Sequence, residues 1–471
     1  MKKSLLIAAA ALVSGTGFAQ STVDPATYEE VDGLVLKNRV LLSETNLGRE
    51  EFGKYKWMTG TPGSARTACT ANLDGKDVIV ISQSAAADGA AAIHIIDLAT
   101  GEYLKTLSLT VDGAPLSGTL CANTIGCDDF NHVWVVGYAA STWVTPKDGS
   151  ESYGYENKFY TVDLKTGALT LAANVALTPD DAEANGRVDY FDLVGDITRT
   201  EGRCAIAAVP TVGLTIYGWE AEQGGEFVPM FEGYAASIID AAAAQTCPAE
   251  QTAWGTAPVC KIVKNDAADF SAQMFYIDGM STAAVLYDRG LQCIDGFMNA
   301  ESGLVPKLNI NGICDIAING KKYVAYPFSG HSGNEKTDEV HHETYICALN
   351  DAMEFSSLKK LWTAPAAGLG NHSDGGTRVY PISVKIYKDV NGVEGAYILL
   401  YKCMNGFGVY TMAPKEWIDP NGDAGVEDII ADDNNAPVEY FNLNGVKVNG
   451  DLAPGLYITR QGNKVAKKVV K

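Results

Sequence analysis

Two stretches of this chain lie over one another without a gap. Ile93–Leu109 (IHIIDLATGEYLKTLSL) and Phe159–Val175 (FYTVDLKTGALTLAANV) match at Asp97 with Asp163, Leu98 with Leu164, Thr100 with Thr166 and Gly101 with Gly167. Each copy reads as a strand, a turn built on Asp-Leu-x-Thr-Gly, and a second strand, because apolar and β-branched runs flank a glycine-ended turn. Another pair of strands precedes each copy: Thr67–Asn72 with Val78–Gln83, and Thr119–Ile125 with His132–Tyr138. A repeating unit of four short strands is the pattern of a propeller blade, which buries its faces only by stacking against its neighbours around an axis.

Carried forward, the template places a third unit at Tyr190–Ile197, Cys204–Val209 and Leu214–Trp219. A fourth follows at Pro258–Lys264, Gln273–Ile277, Ala283–Asp288 and Leu291–Phe297, and a fifth at Gly312–Ile318, Lys322–Phe328, Glu343–Leu349 and Leu358–Trp362. The sixth, Val379–Tyr387, Ala396–Cys403 and Phe407–Met412, lacks its outer strand. Gly33–Glu44 is a branched-residue strand with no hairpin partner beside it, and it is expected to fill that place. Closing the array in this way removes exposed sheet edges. The fold expected is therefore all-β, a β-propeller over 33–413 with six blades, or seven if Tyr234–Ala257 holds a further repeat. Ala235–Ala244 alone has good local helix propensity.

The two ends read as addresses. Lys2 and Lys3, an apolar run from Leu5 to Val13 and the small residues of Gly17-Phe18-Ala19 give residues 1–19 the layout of a signal peptide. Residues 20–32 read as a disordered lead-in and 414–436 as an acidic linker. In that linker Asp419, Asn421 and Asp423 begin like a calcium loop, but Ala424 and Ile430 stand where a glycine and a bidentate glutamate are required. Residues 437–471 form a small β module punctuated by Asn444-Gly445 and Pro454-Gly455. No later stretch approaches the ~20 apolar residues of a transmembrane helix. The formal charge is −21, and removing the leader takes away two lysines and no acid, so nucleic acid is excluded as a partner on electrostatic grounds.

The final module resembles the C-terminal sorting domain of the type IX secretion system of the Bacteroidota. The match runs through Tyr440-Phe441-Asn442-Leu443, Gly445-Val446-Lys447-Val448, Gly455-Leu456-Tyr457-Ile458 and Gly462-Asn463-Lys464. That resemblance implies export and a secretion-machinery partner that reads Pro437–Lys471, with the protein passing through the periplasm to the cell surface or medium. The Asp-Leu-x-Thr-Gly pair together with Ile216-Tyr217-x-Trp219 resembles an uncharacterised propeller family of exported Bacteroidota proteins, which implies fold and no chemistry.

Ten cysteines in an exported chain would ordinarily suggest disulfides. Cys69, Cys121, Cys260 and Cys314 instead sit inside short apolar runs, as packed thiols do. Cys247 with Cys260 is the best candidate pair.

Alternation of strand direction puts the long connections Ala139–Asn157, Pro179–Arg187, Gly233–Ala257, Ser329–His342 and Ala364–Thr377 on one face, where ligands are expected. Trp143, Tyr153 and Tyr155, beside Asp180, Asp181, Glu183 and Arg187, combine aromatic faces with carboxylates and suit a glycan or a surface protein. His331, Asp338 and His341, with His372 and Asp374, are the candidates for a divalent metal, although no HxH or HxxxH spacing supports them. No cofactor is otherwise required. There is no nucleophile elbow, phosphate loop or zinc-protease motif. The reading is a non-catalytic exported binding protein. The alternative is a polysaccharide hydrolase or lyase using acids or a histidine-bound metal on the same face.

Overall fold

The computed structural model describes residues 28–415 apart from connecting stretches, together with Asp24, Ala26 and the strands between 439 and 470; the longest omitted stretches within 28–415 are 145–151, 178–187, 195–203, 230–256, 264–273, 297–303, 330–340 and 372–378. Within them the chain is overwhelmingly β-strand, as expected. Six antiparallel sheets follow one another along the chain, and a separate four-stranded sheet is formed by Glu439–Phe441, Lys447–Val448, Gly455–Gln461 and Lys464–Val470.

The first sheet runs Ala68–Leu73, Lys76–Gln83, Ala92–Asp97, Tyr103–Ser108. Thr124–Cys127, Val133–Val144, Ser152–Val162 and Ala168–Leu177 make the second, to which the short ribbon Thr110–Val111 and Ala114–Pro115 adds through a parallel pairing with the last strand. The third is Val188–Val194, Cys204–Pro210, Tyr217–Ala221, Phe227–Pro229. The fourth is Val259–Val263, Met274–Asp278, Val285–Tyr287, Cys293–Gly296, and the fifth Cys314–Ile318, Lys321–Ser329, Glu343–Leu349, Lys359–Ala364. In the sixth, Ile382–Lys388, Glu394–Lys402 and Gly406–Pro414 are completed by Leu34–Ser43, which pairs antiparallel with Gly406–Pro414 from Leu34 opposite Pro414 to Ser43 opposite Gly406. The orphan strand thus takes the place expected of it. The first strand of each sheet lies against the first strand of the next, and the sixth sheet's against the first sheet's. Between neighbouring sheets sit apolar clusters such as Val40, Leu42, Ile79, Ile81, Leu399 and Phe407.

The repeated turn has a local chemical cause. Asp97 accepts from the backbone N–H groups of Ala99 and Thr100 at 3.0 and 2.9 Å, and the glycine N–H closes onto the Asp97 carbonyl at 2.9 Å. Asp163 repeats this with Lys165 N–H and the Thr166 hydroxyl, both at 2.8 Å. Those hydrogen bonds, that from Lys165 first, hold the Asp163 carboxyl below its usual range. Gly101 and Gly167 have φ of 71° and 79°, the left-handed region a side chain resists. At Gly167 a Cβ would also stand 2.3 Å from the Ser108 carbonyl oxygen.

Several expectations are corrected. Ala139–Asn157 is not a long loop: its ends extend the strands Val133–Val144 and Ser152–Val162, because β-branched and aromatic residues such as Thr142, Trp143, Val144, Tyr153 and Tyr155 favour the extended backbone. The described part of the lead-in, Asp24, Ala26 and residues 28–32, is anchored. Asp24 is buried; its carboxylate accepts from Tyr28 and from Tyr410 at 3.1 Å, and its N–H donates to Asn38 at 2.7 Å. Further along, the Trp362 indole N–H donates to the Glu29 carbonyl at 2.8 Å. Cys260 is a free, fully buried thiol, so the Cys247–Cys260 disulfide is not formed; desolvation pushes that thiol's pKa far up. Between Leu34–Ser43 and the first sheet lie three unexpected four-residue helices, Glu44–Leu47, Arg49–Phe52 and Lys56–Thr59, the first capped by the Ser43 hydroxyl accepting from Asn46 N–H. The helix-prone stretch Ala235–Ala244 and the rest of Tyr234–Thr256 lie outside the described residues, as do residues 1–19 and most of 414–436.

Candidate functional site

Where the six first strands meet, they leave a cavity of about 370 Å³ to which every one of them contributes. Thr70 and Asn72 come from the first sheet and Cys127 from the second, whose following turn adds Asp128, Asp129 and Asn131. Asp192, Lys261 and Asp315 come from the third, fourth and fifth, and Ser383 and Lys385 from the sixth. Burial is graded along it. Thr70, Lys261 and Cys314 are buried, whereas Asp129, Asn131, Ala317 and Ile386 are exposed, so the cavity has a floor and an open mouth.

Tyr190, beside Lys261, belongs with Ala257, Val259 and Val379 to an apolar cluster that joins the third and fourth sheets to the segment leading into the sixth. Lys261 Nζ lies 5.8 Å from the centre of the Tyr190 ring and 2.7 Å from Asp192 Oδ1; Asp192 Oδ2 accepts from Ile262 N–H at 2.9 Å. Burial by itself would lower the Lys261 pKa, but the Asp192 carboxylate and the Tyr190 hydroxyl outweigh it and hold the ammonium well above its ordinary value. Tyr190 is raised in turn, chiefly by its own desolvation. Such an ion pair contributes little net stability once desolvation is counted, but removing one partner strands the other.

At the mouth the walls are fixed by hydrogen bonds between sheets. Asn131, at φ 71°, uses its side-chain amide as a strand would, donating to the Asn72 carbonyl at 2.8 Å and accepting from Asn72 N–H. On the opposite flank Asp77 accepts from Lys385, Tyr387 and, at 3.1 Å, Asn72. Thr70 and Ser383 hydroxyls meet at 3.0 Å across the seam between first and sixth sheets. Asp128 is occupied on both oxygens: Oδ1 accepts from Phe130 and His132 N–H at 2.9 and 2.8 Å, and Oδ2 meets His132 Nδ1 at 2.7 Å. The carboxylates of Asp128 and Asp192 therefore shape the cavity, with both of their oxygens committed to fixed partners.

This mouth lies at the C-terminal ends of the first strands, where the first, second, fifth and sixth sheets have short turns and the third and fourth run into the undescribed stretches 195–203 and 264–273, whereas the long connections expected to carry function enter at the other ends. Of the residues singled out there, the structure describes little. Trp143 stands opposite Tyr153, and Tyr155 opposite Ala140, in the register of one hairpin. Asp180, Asp181, Glu183 and Arg187 lie outside the described residues, as do His331, Asp338, His372 and Asp374. His341 is half-buried, and its carbonyl accepts from Gly370 N–H at 3.0 Å. Among the described residues no three His, Cys, Asp or Glu side chains converge to hold a metal ion, and no helix is long and apolar enough to cross a membrane.

No family model and no curated protein matches the sequence. Among solved structures, a DUF4623 family protein from Bacteroides eggerthii superposes with a TM-score of 0.51 at 13% identity, over 84% of this chain and 77% of that one. The two share a fold, and identity that low says nothing about activity. An α-L-arabinofuranosidase from Fusarium graminearum reaches a TM-score of 0.38 at 10% identity, covering 74% of this chain and 93% of that chain. Trypanosoma rangeli sialidase reaches 0.34 at 9%, over 74% of this chain and 54% of its own length. Neither bears on the fold or the chemistry here.

Proposed function

We propose that this protein is an exported six-bladed β-propeller of the Bacteroidota that binds the end of a glycan, without catalysis, in the mouth of its central channel. Six successive sheets whose first strands touch in cyclic order support the blade count. The leader at 1–19 and the sorting module at 437–471 supply the route to the cell surface, with the secretion machinery as a second partner.

The observation that carries the binding reading is the axial cavity itself. Its volume falls in the range of small-ligand pockets, roughly 300–1,000 Å³, and it is too narrow to accept a folded protein, whose interface needs a face of about 800 Å². Hydroxyl, amide, ammonium and carboxylate groups line it, the set that hydrogen-bonds a polyhydroxy ring. A catalytic pair would need one carboxyl able to give a proton and another able to take one across the scissile bond; of the four aspartates that line the cavity, Asp128 and Asp192 are spoken for by fixed partners. The test is a glycan array with the mature full-length chain, followed by titration of any hit against wild type and Ser383→Ala. Binding weakened by that substitution is the expected result. Unchanged binding would move the site to the long-loop face, and release of new reducing ends would replace binding by hydrolysis.

A further inference from the structure

We infer that Cys69 and Cys127 are the two halves of a disulfide that staples the first sheet to the second at the wall of the channel, formed by exchange with an external disulfide. Strand alternation fixes which way each thiol points. In Ala68–Leu73 the Thr70 hydroxyl crosses to Ser383 of the sixth sheet. Cys69 and Ala71 therefore turn the other way, into an apolar layer that they share with Ile125 and Val133 of the second sheet. In Thr124–Cys127, a Cβ on Gly126 would meet Phe191 and Leu193 of the third sheet. Ile125 and Cys127 therefore face back toward the first sheet, and Cys127 packs against the same layer as Cys69. Register then sets the two opposite one another. Thr67 Oγ1 accepts from Ile125 N–H at 2.8 Å, and Asn131 donates to the Asn72 carbonyl at 2.8 Å. Cys69 lies two residues beyond Thr67 and Cys127 two beyond Ile125, so both fall between those clamps. A disulfide spans Cα atoms about 4.4–6.8 Å apart, the separation at which a threonine hydroxyl touches a neighbouring strand's backbone.

The pair is asymmetric in the way thiol exchange needs. Cys127 is half-buried and lines the cavity, whereas Cys69 is buried behind it. Burial, and then Cys127 beside it, push the Cys69 thiol well above its usual value, so Cys127 supplies the first thiolate. That thiolate attacks a small disulfide at the channel mouth, expelling one of its halves as a thiol and leaving a mixed disulfide on Cys127. Cys69 then gives up its proton, attacks the Cys127 sulfur and expels the second half. One S–S bond breaks and one forms; the protein loses two electrons and two protons, and the external disulfide gains both. Cys121 shares the apolar layer, but its S–H donates to the Ser84 carbonyl at 3.2 Å. The structure holds Cys69 and Cys127 as thiols, the reduced form of the pair. Export, as proposed above, would carry them into an oxidising space where such bonds persist.

The experiment uses the mature full-length protein, purified reduced and equilibrated with oxidised glutathione as the probe disulfide. It is then unfolded, its remaining thiols are alkylated, and it is cut with trypsin. Mass spectrometry should find peptide 67–76 joined to peptide 106–147 in most molecules, with fragment ions placing the link at Cys127 rather than Cys121. The urea midpoint should rise on oxidation and fall back with dithiothreitol, because the link restricts the unfolded chain. Cys127→Ala, at a half-buried position, should fold, lose the link and show no shift of midpoint on oxidation. Full alkylation of Cys69 and Cys127 after oxidation would overturn the inference. Glutathione left on Cys127 by a Cys69 that cannot reach it would do the same, and so would a link that runs through Cys121.

Discussion

Lowering the pH should destabilise this fold through one histidine in the first sheet. His94 is buried in the strand Ala92–Asp97, with Nε2 2.7 Å from Gln83 Oε1 and Nδ1 2.8 Å from the Tyr103 hydroxyl. Trp57 stacks over it, ring centres 4.8 Å apart. The neutral ring satisfies both contacts: Nε2–H donates to the glutamine oxygen while Nδ1 accepts from the tyrosine O–H. No carboxylate compensates a second proton, and desolvation pulls the pKa from 6.5 down to about 4. The unfolded chain therefore binds a proton at a pH where the native one does not. The stabilisation is fully present above 6.5 and lost as pH falls through about 4. At about 1.4 kcal/mol per pH unit, a shift of that size amounts to roughly 3 kcal/mol, a sizeable part of the stability of a typical domain. Urea denaturation of the wild type and of His94→Gln, in steps from pH 7.5 to 4, isolates the effect as the difference between two slopes. The variant will start less stable, having lost its contacts, but it should lose about 3 kcal/mol less across the window. Parallel curves would show that His94 is protonated in the native state and that the tautomer argued above is wrong.

The two copies of the turn should respond unequally to the same substitution: Gly101→Ala costs about 1–2 kcal/mol for the left-handed backbone alone, whereas Gly167→Ala also drives a Cβ into the Ser108 carbonyl and should cost clearly more, read as the difference in urea midpoint. Asp278 is fully buried, accepting from Gly312 N–H at 2.8 Å and Tyr326 O–H at 3.3 Å, and desolvation raises its pKa well above the usual value. Its contribution is complete below pH 3.8 and declines as pH rises, so Asp278→Asn should gain on the wild type in melting temperature between pH 4 and pH 8. Lys261→Met alone leaves Asp192, whose side chain is only 12% exposed, without its cation and should cost about 3 kcal/mol in urea denaturation, while Lys261→Met with Asp192→Leu should recover most of that loss.

Much of this architecture is legible from sequence because strand alternation and the Asp-Leu-x-Thr-Gly turn are local signals, each complete within a few residues. The ring closure was legible for a related reason: Leu34–Ser43 is too apolar to stand alone, and the last sheet was a strand short. The three helices before the first sheet were not, since four-residue helices lie below the length at which propensity means anything. Asp24 could not be told from any acid in a polar leader; its meaning comes from Tyr28 and from Tyr410, nearly four hundred positions away. The cavity is the clearest case. Thr70, Cys127, Asp192, Lys261, Asp315 and Ser383 are unremarkable strand residues in six separate neighbourhoods, and their grouping exists only once the six first strands meet. Long loops drew attention to the opposite face because insertions are visible in a sequence and convergence is not.

The pairing of Leu34–Ser43 with Gly406–Pro414 has a consequence for how the molecule is made. The earliest strand among the described residues hydrogen-bonds to the last strand of the six-sheet array, with Asn38 reaching the Val409 carbonyl. During synthesis and any passage through a translocation pore, Leu34–Ser43 has no partner until residue 414 has emerged, and an apolar strand with an open edge waits throughout. A nascent chain arrested anywhere before that point carries a templating edge near its leading end. A ribosome stalled in the sixth sheet would yield an aggregation-prone product, and moving Leu34–Ser43 behind Pro414 by circular permutation would relieve the wait.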